Sequence, residues 1–313
     1  MLKIFLDRQK KFKKFARPVV AIGVFDGVHR GHQKLILRAV ARARQISGTS
    51  IVLTFFPHPV HVLYRKKDLS LLVSLEHRLG LIQQLGVDAC MVVPFTKEFA
   101  KLRAEDFVRD YLFCKIGAKE IFIGQNFHFG RGRRGDSKAL QSLTKIYSIQ
   151  ANVLRSVRCG RDVVSSSRLR HLVKDGNFSL AKKYLDREIT FIGQVVRGNR
   201  RGRALGIPTA NINCGPEILP PLGVYIVCAV VAGKKCEGIA NVGYRPSFES
   251  SRKKNIEVHL FDFHRNIYGQ RIEIQFLKKI RNEKKFLSPH HFLRQFQRDK
   301  DIAIDFFRKS TSI

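Results

Sequence analysis

Between Pro18 and about Val157 the chain repeats one alternation, a short β-branched run followed by a stretch with helical spacing of its apolar residues. Strands are expected near Val19–Val24, Ile51–Phe55, Ala89–Val93, Glu120–Gly124 and Asn152–Val157. Helices are expected at Gly31–Gln45, at Leu75–Leu85 behind a Ser74 N-cap and ended by Gly86, at Ala104–Cys114, and at Ser137–Tyr147 behind Asp136. This regularity implies a parallel sheet with helices on both faces, in which ligands bind outside the carboxyl ends of the strands.

Beyond two short helical stretches, Leu169–Lys174 and Ser179–Tyr184, the texture changes. Six strand-like runs follow with no long helix between them: Ile189–Val196, Ile207–Ile212, Val224–Val231, Glu237–Val242, Ile256–Phe263 and Arg271–Ile280. Gly, Pro and Asn turns separate them, which reads as a closed antiparallel barrel, and one helix from about Pro289 to Phe307 ends the chain. The expected class is α/β plus all-β, with a boundary near Leu185/Asp186 giving domains 1–185 and 186–313. At 313 residues the chain is long enough for both.

Composition excludes several classes. With 44% hydrophobic residues the chain can fill a core, and no window approaches the roughly 18 uncharged apolar residues that span a bilayer. The start, Met1 to Asp7, breaks its apolar run with charge too early for a secretory leader, so a cytoplasmic protein is expected. Six scattered cysteines with no C-x-x-C pair fit reduced thiols used in packing. The net charge of +33 divides into +22 up to Leu185 and +11 beyond it, so neither half is a detached basic tail. The densest runs, Lys10 to Lys14 and Arg131 to Arg134, lack interleaved aromatics. Most of this charge reads as a solvated face plus phosphate sites; weak nonspecific nucleic-acid contact is the alternative, and no specific nucleic-acid or membrane partner is expected.

The first strand runs into Gly23-Val24-Phe25-Asp26-Gly27-Val28-His29-Arg30-Gly31-His32, where a helix starts. Glycines allow close backbone approach to a ligand, and a helix N-terminus offers unpaired N–H groups to phosphate. An arbitrary pair of histidines at this spacing would be surface residues at a helix start. Here the flanking glycines favour His29 and His32 as donors to phosphate oxygens. No Gly-Lys-Ser/Thr follows, and the spacing does not fit a dinucleotide fingerprint.

The H-x-G-H element is similar to the signature of the nucleotidylyltransferase superfamily. Three further segments sharpen the likeness: Thr54 to Pro59, Ile123 to Gly130, and Val164 to Arg170. Together they resemble the adenylyltransferase module of the prokaryotic bifunctional riboflavin kinase/FAD synthetase family. The resemblance implies a Rossmann-like domain with ATP phosphates on His29, His32, Ser166, Ser167 and Arg170. It puts Gly23, Phe25 and Gly31 in the nucleotide-binding loop and Asn126 on the flavin side. Ser167 stands where the family usually has Thr, which keeps the hydroxyl.

In the second half, Gly193 to Ile212 joins a strand to a Gly- and Arg-rich loop, including Gly202 and Arg203, and then to Pro208-Thr209-Ala210-Asn211. Such a loop can wrap a triphosphate. Thr209 and Asn211, two apart, share one strand face, and hard oxygens beside substrate phosphates suit Mg²⁺. Ile256 to Phe263 alternates cleanly, so Glu257, His259 and Phe261 share a face and Glu257 can serve as a base toward an alcohol. As isolated residues these would read as polar, solvent-facing positions on strands. With Pro221 to Tyr225, Ala240 to Phe248, Tyr268-Gly269, Ile280-Arg281 and Lys285-Phe286, however, they resemble the riboflavin kinase barrel throughout. The resemblance implies Glu257 as catalytic base, Thr209 and Asn211 at a Mg·ATP site, and Gly202 and Arg203 along the ATP phosphates. Ser247 stands where bacterial members commonly have Thr. The implied enzyme converts riboflavin to FMN and FMN to FAD, with ATP as co-substrate, Mg²⁺ in both steps, and oligomeric state left open. A chain with one inactive half, or a basic nucleic-acid-binding protein on an enzyme-like scaffold, are the competing readings.

Overall fold

The computed structural model describes residues 2–6, 15–64, 70–198, 205–213, 215, 217–244 and 254–311. Gly202, Arg203 and Ser247 lie outside the described residues. Two compact units emerge, Met1–Ser166 and Ser167–Ile313.

The first unit is built on a six-stranded sheet of β1 (Lys3–Leu6), β2 (Val19–Ile22), β3 (Ser50–Phe56), β4 (Ala89–Pro94), β5 (Glu120–Gly124) and β6 (Gln150–Leu154). Their order is β1-β4-β3-β2-β5-β6, and every pairing is parallel. The order reverses between β2 and β5, the switch point at which loops on the carboxyl side diverge and leave a crevice. Alternate residues feed opposite faces. Val19, Ala21, Val52 and Cys90 pack with Leu35, Ile36 and Ile82 on one side, while Val20, Ile22, Leu53 and Met91 meet Phe107, Leu112 and Leu140 on the other.

The expected helices are present as Arg30–Gln45, Leu75–Gln84 and Ser137–Ile146, with Ser74 and Asp136 accepting capping N–H groups. The expected helix from Ala104 is α-helical only over Ala104–Asp106 and continues as a π-helix over Phe107–Ile116, ended by Gly117 at φ +67°. Several small elements have no counterpart in the sequence reading, among them β1, the helix Pro59–Leu63, and a hairpin of β7 (Arg158–Cys159) and β8 (Asp162–Val163). The reading of all cysteines as packing residues needs correction too, because Cys114 on the π-helix is exposed while Cys90 is buried.

The second unit is a closed antiparallel barrel of β9 (Ile189–Val196), β10 (Ala210–Asn213), β11 (Gly223–Val231), β12 (Lys234–Tyr244), β13 (Lys254–Leu260) and β14 (Arg271–Arg281). Around the barrel the order is β10-β13-β12-β11-β14-β9. Phe191, Tyr225 and Phe276 form an edge-to-face cluster inside. Phe178, on the helix Phe178–Leu185, packs against Tyr225 and Phe276. That contact groups this helix with the barrel, whereas the sequence reading sets the boundary after it. On the outer barrel face Val224, Ile226 and Ile239 pack against Ala303, Phe296 and Phe306 of the C-terminal helix Pro289–Thr311. Arg281 locks that helix down by donating to both carboxylate oxygens of the buried Asp299, at 2.8–3.0 Å.

Candidate active sites

The loop from β2 to the helix Arg30–Gln45 has a backbone that few sequences tolerate. Phe25 (φ +54°), Gly27 (+83°) and Val28 (+40°) are all left-handed. Phe25 and Val28 are buried, so apolar packing holds a conformation that is otherwise unfavourable for residues carrying a Cβ. The glycines make room for the loop's own rings: a Cβ on Gly23 would stand 2.9 Å from the Phe25 ring, and one on Gly31 would stand 3.2 Å from the His29 imidazole.

His29 is the N-cap of the helix, its Nδ1 accepting the His32 backbone N–H at 3.4 Å. A neutral imidazole that accepts at Nδ1 carries its proton on Nε2. The two imidazoles stack at 3.6 Å with 18° between their planes, and the Phe25 ring meets His32 edge-on at 5.3 Å. Burial, followed by the charges of His29 and Arg78, holds the His32 pKa well below the ordinary histidine value. His32 is therefore an uncharged donor at neutral pH, beside the free N–H groups of a helix start.

The same loop gathers distant chain. The buried Asp26 carboxylate accepts the backbone N–H groups of Leu72 and Val73, and the Asp26 carbonyl accepts the Ser166 hydroxyl at 2.9 Å. Ser166 is thus brought to the His29 loop within the first unit. Asn126 is exposed in the turn after β5, the strand adjacent to β2, so it sits at the same carboxyl edge of the sheet. Ser167 and Arg170 continue the helix Ser166–Lys174 and group with the second unit.

One residue the sequence reading missed lies beneath this loop. Arg78 has no exposed surface, and its Nη1 donates to the Val24 carbonyl (2.9 Å), the Phe55 carbonyl (3.2 Å) and Thr54 Oγ1 (3.4 Å). Thr54 Oγ1 also donates to the Val24 carbonyl, at 3.0 Å. The signal was present: Arg78 falls at the i+3 position from Leu75 and four before Ile82, on the apolar face of its helix.

In the barrel, Asn211 on β10 lies opposite Glu257 on β13, which in turn lies opposite Asn241 on β12. Asn255, two residues before Glu257, donates from Nδ2 to Asn211 Oδ1 at 2.7 Å. Glu257 lines a 230 Å³ cavity beneath the C-terminal helix with Asn241, His259 and Phe296. Asn211 lines a separate 430 Å³ cavity with Gly198, Val258 and Tyr268. Thr209 borders both. A Cβ on Gly198 would collide with the Asn211 amide, so this glycine leaves room for the polar side chain. His259 Nδ1–H donates to the Pro208 carbonyl, 2.8 Å away, tying the Pro-Thr-Ala-Asn segment to β13. Burial lowers the His259 pKa, and the Pro208 contact opposes that shift.

Comparison with known proteins matches a family model to each half of the chain. The FAD synthetase family model matches residues 11–168, and the riboflavin kinase family model matches residues 185–307. The chain is 36% identical over 296 residues to the bifunctional riboflavin kinase/FMN adenylyltransferase of Bacillus subtilis (strain 168), covering 93% of each chain. It is 35% identical to the protein of that name from Escherichia coli (strain K12), covering 92% of each. A crystal structure titled as a macrolide-efflux protein from Streptococcus pneumoniae superposes with a TM-score of 0.86 at 29% identity, covering 96% of this chain and 99% of that one. Among the described residues here, no helix is long and apolar enough to cross a membrane. With both family models matched in order along one chain, and with relatives that align almost end to end, the chain belongs to the bifunctional riboflavin kinase/FMN adenylyltransferase family.

Proposed function

We propose that residues 186–313 transfer the γ-phosphoryl group of ATP to riboflavin, and that residues 1–185 transfer an adenylyl group from a second ATP to the resulting FMN, releasing pyrophosphate. The observation that carries the kinase half is the row Asn211–Glu257–Asn241, set where Thr209 borders two cavities. A carboxylate in one cavity and oxygen donors toward the other suit an alcohol on one side of the transferred phosphoryl group and Mg·ATP on the other. Glu257 takes the hydroxyl proton as the riboflavin oxygen attacks, a contribution of roughly 10²–10⁴ in rate for a well-placed general base.

Thr209 and Asn211 fit Mg²⁺ by donor chemistry. Both offer neutral hard oxygens, Asn211 Oδ1 is oriented by Asn255, and Mg²⁺ commonly takes few protein oxygens alongside substrate phosphates. When bound, the ion supplies charge neutralisation on the phosphates. Gly202 and Arg203 complete the phosphate contacts in this reading.

In the first unit, His29 and His32 donate to ATP phosphates at the helix start, and the Gly23, Phe25 and Gly31 backbone shapes the loop. Ser166 adds a hydroxyl donor and Asn126 faces the flavin nucleotide; Ser167 and Arg170, on the helix that begins the second unit, are assigned to ATP phosphates by the family resemblance alone. Positioning, charge stabilisation and a metal ion would take the place of a covalent enzyme nucleophile here, because the FMN phosphate is itself the nucleophile. We place the enzyme in the cytoplasm, without a specific nucleic-acid partner.

Incubating the purified full chain with riboflavin, ATP and Mg²⁺ and separating the flavins tests the reading. FMN and then FAD accumulate; formation of neither product would overturn it, and FMN without FAD would remove the adenylyl-transfer half.

A further inference from the structure

We propose that Arg78 is a positioning residue for adenylyl transfer: its buried guanidinium ties the carboxyl ends of β2 and β3 together and thereby fixes the loop that carries His29 and His32. The proposal rests on the assignment of those two histidines to adenylyl transfer.

A side chain with no exposed surface at the core face of a helix is a place for Leu or Met. A buried cation there costs stability unless its bonds accomplish something a hydrocarbon cannot. Packing alone does not account for it, since Nε and Nη2 are buried with no hydrogen-bond partner among the described residues. The bonds that do form converge on one nitrogen, Nη1, and two of them reach main-chain carbonyls just beyond β2 and at the end of β3. Val24 is the critical one. Its carbonyl accepts from both Arg78 Nη1 and Thr54 Oγ1, which occupies the two lone pairs of that oxygen and sets the plane of the Val24–Phe25 peptide. Phe25 is the first left-handed residue of the loop, and its ring rests edge-on against His32. A rotation at Val24 therefore displaces the ring that supports the imidazole.

A second consequence is electrostatic. The charged or titratable groups near His32 are His29 at its own helix start and Arg78 from the helix Leu75–Gln84; Asp26 in the loop and Cys90 on β4 lie beside Arg78. Both His29 and Arg78 disfavour protonation of His32, so the guanidinium helps keep that imidazole a neutral donor.

The test uses the full chain with Arg78→Met, Arg78→Lys and Thr54→Val, measuring FAD formation from FMN and ATP. Riboflavin phosphorylation by the same preparations reports that the second unit is intact, and a cooperative thermal transition of the first unit reports that it is folded. Arg78→Met is expected to lower kcat for FAD formation about 100-fold, the scale of a misplaced catalytic group, with the KM for ATP changing much less. Arg78→Lys restores most of the loss, because an ammonium can donate all three bonds from a single nitrogen. Thr54→Val gives a smaller fall in the same direction, since one donor to Val24 remains. In Arg78→Met the acidic limb of the kcat profile moves to higher pH as His32 takes up a proton more easily, and in Arg78→Lys it stays in place. Wild-type kcat in Arg78→Met would overturn the proposal, as would an Arg78→Lys chain as impaired as Arg78→Met while its kinase is intact. If Arg78→Met does not fold, Thr54→Val decides: an unchanged kcat there overturns the clamp. A His32→Ala chain that forms FAD normally would instead remove the histidine assignment, a failure distinguishable from any result at Arg78.

Discussion

Glu257 and Asn211 stand directly opposite each other on adjacent antiparallel strands, and Asn241 flanks Glu257 from the other side. Cross-strand partners lie about 4.5–5.5 Å apart, so the side chains directly across from the carboxylate on both strands are amides. The row thus sets a carboxylate between two amide side chains on neighbouring strands.

Glu257→Gln keeps the shape and removes the base. FMN formation is expected to fall by roughly 10²–10⁴. Conversion of supplied FMN to FAD should continue at the wild-type rate, because the histidine loop lies in the other unit. Chromatographic separation of the flavins reads both. Comparable kinase rates in variant and wild type would remove Glu257 from the mechanism.

Asn211→Ala removes the acceptor for Asn255 and an oxygen facing the 430 Å³ cavity. The expected outcome is a higher apparent KM for Mg·ATP in the kinase step, most visible when Mg²⁺ is limiting, with adenylyl transfer largely untouched. Equal losses in both activities would point to a folding defect.

Much of this arrangement was legible because period rules act locally. The alternation of Glu257 and His259 against Ile256 and Val258 placed the base on one barrel face, and capping chemistry placed Ser74 and Asp136. What sequence spacing cannot show is register between distant strands. Asn241 gained a role only once β12 was seen to pair with β13. Arg78 was hidden for a different reason: charge reads as surface, and only the buried helix face shows that this arginine serves backbone carbonyls inside. The π-helical stretch Phe107–Ile116 escaped because its residue types are those of an ordinary helix, and only the hydrogen-bond pattern differs.

The buried ion pair of Arg281 with Asp299 holds the C-terminal helix on top of its apolar contacts. Asp299→Ala strands a guanidinium that is itself largely buried and is expected to destabilise the barrel by about 3–5 kcal/mol. The Glu257 cavity, which Arg281, Asp299 and Phe296 line, should loosen with it. Calorimetry should show a lowered barrel transition, and the KM for riboflavin should rise. A wild-type transition temperature would show that the apolar contacts alone hold the helix.

His29→Ala or His32→Ala should suppress FAD formation and spare FMN formation. The helix start retains its backbone donors and still binds ground-state phosphate. Donors aimed at the phosphates matter more as charge moves to the leaving pyrophosphate, so the loss should fall mainly on kcat. A variant that binds ATP far more weakly yet turns over normally at saturation would make that histidine a binding residue only.

The depressed pKa of His32 also predicts how the first unit responds to acid. Its folded value lies below the ordinary value of 6.5, so between the two the unfolded chain binds more protons than the folded one. The stability this confers is fully present above about pH 6.5 and is lost as pH falls from there toward the folded value. One proton sets the limit, a slope of at most about 1.4 kcal/mol per pH unit from this residue. Urea unfolding followed between pH 8 and pH 5 should show stability declining below pH 6.5, with a shallower decline in His32→Gln. His259, lowered in the same direction, contributes its own slope in the barrel and is unchanged in that comparison. Identical slopes in wild type and His32→Gln would mean that His32 takes up its proton as easily folded as unfolded, and the stacked imidazole would then not be held neutral by its surroundings.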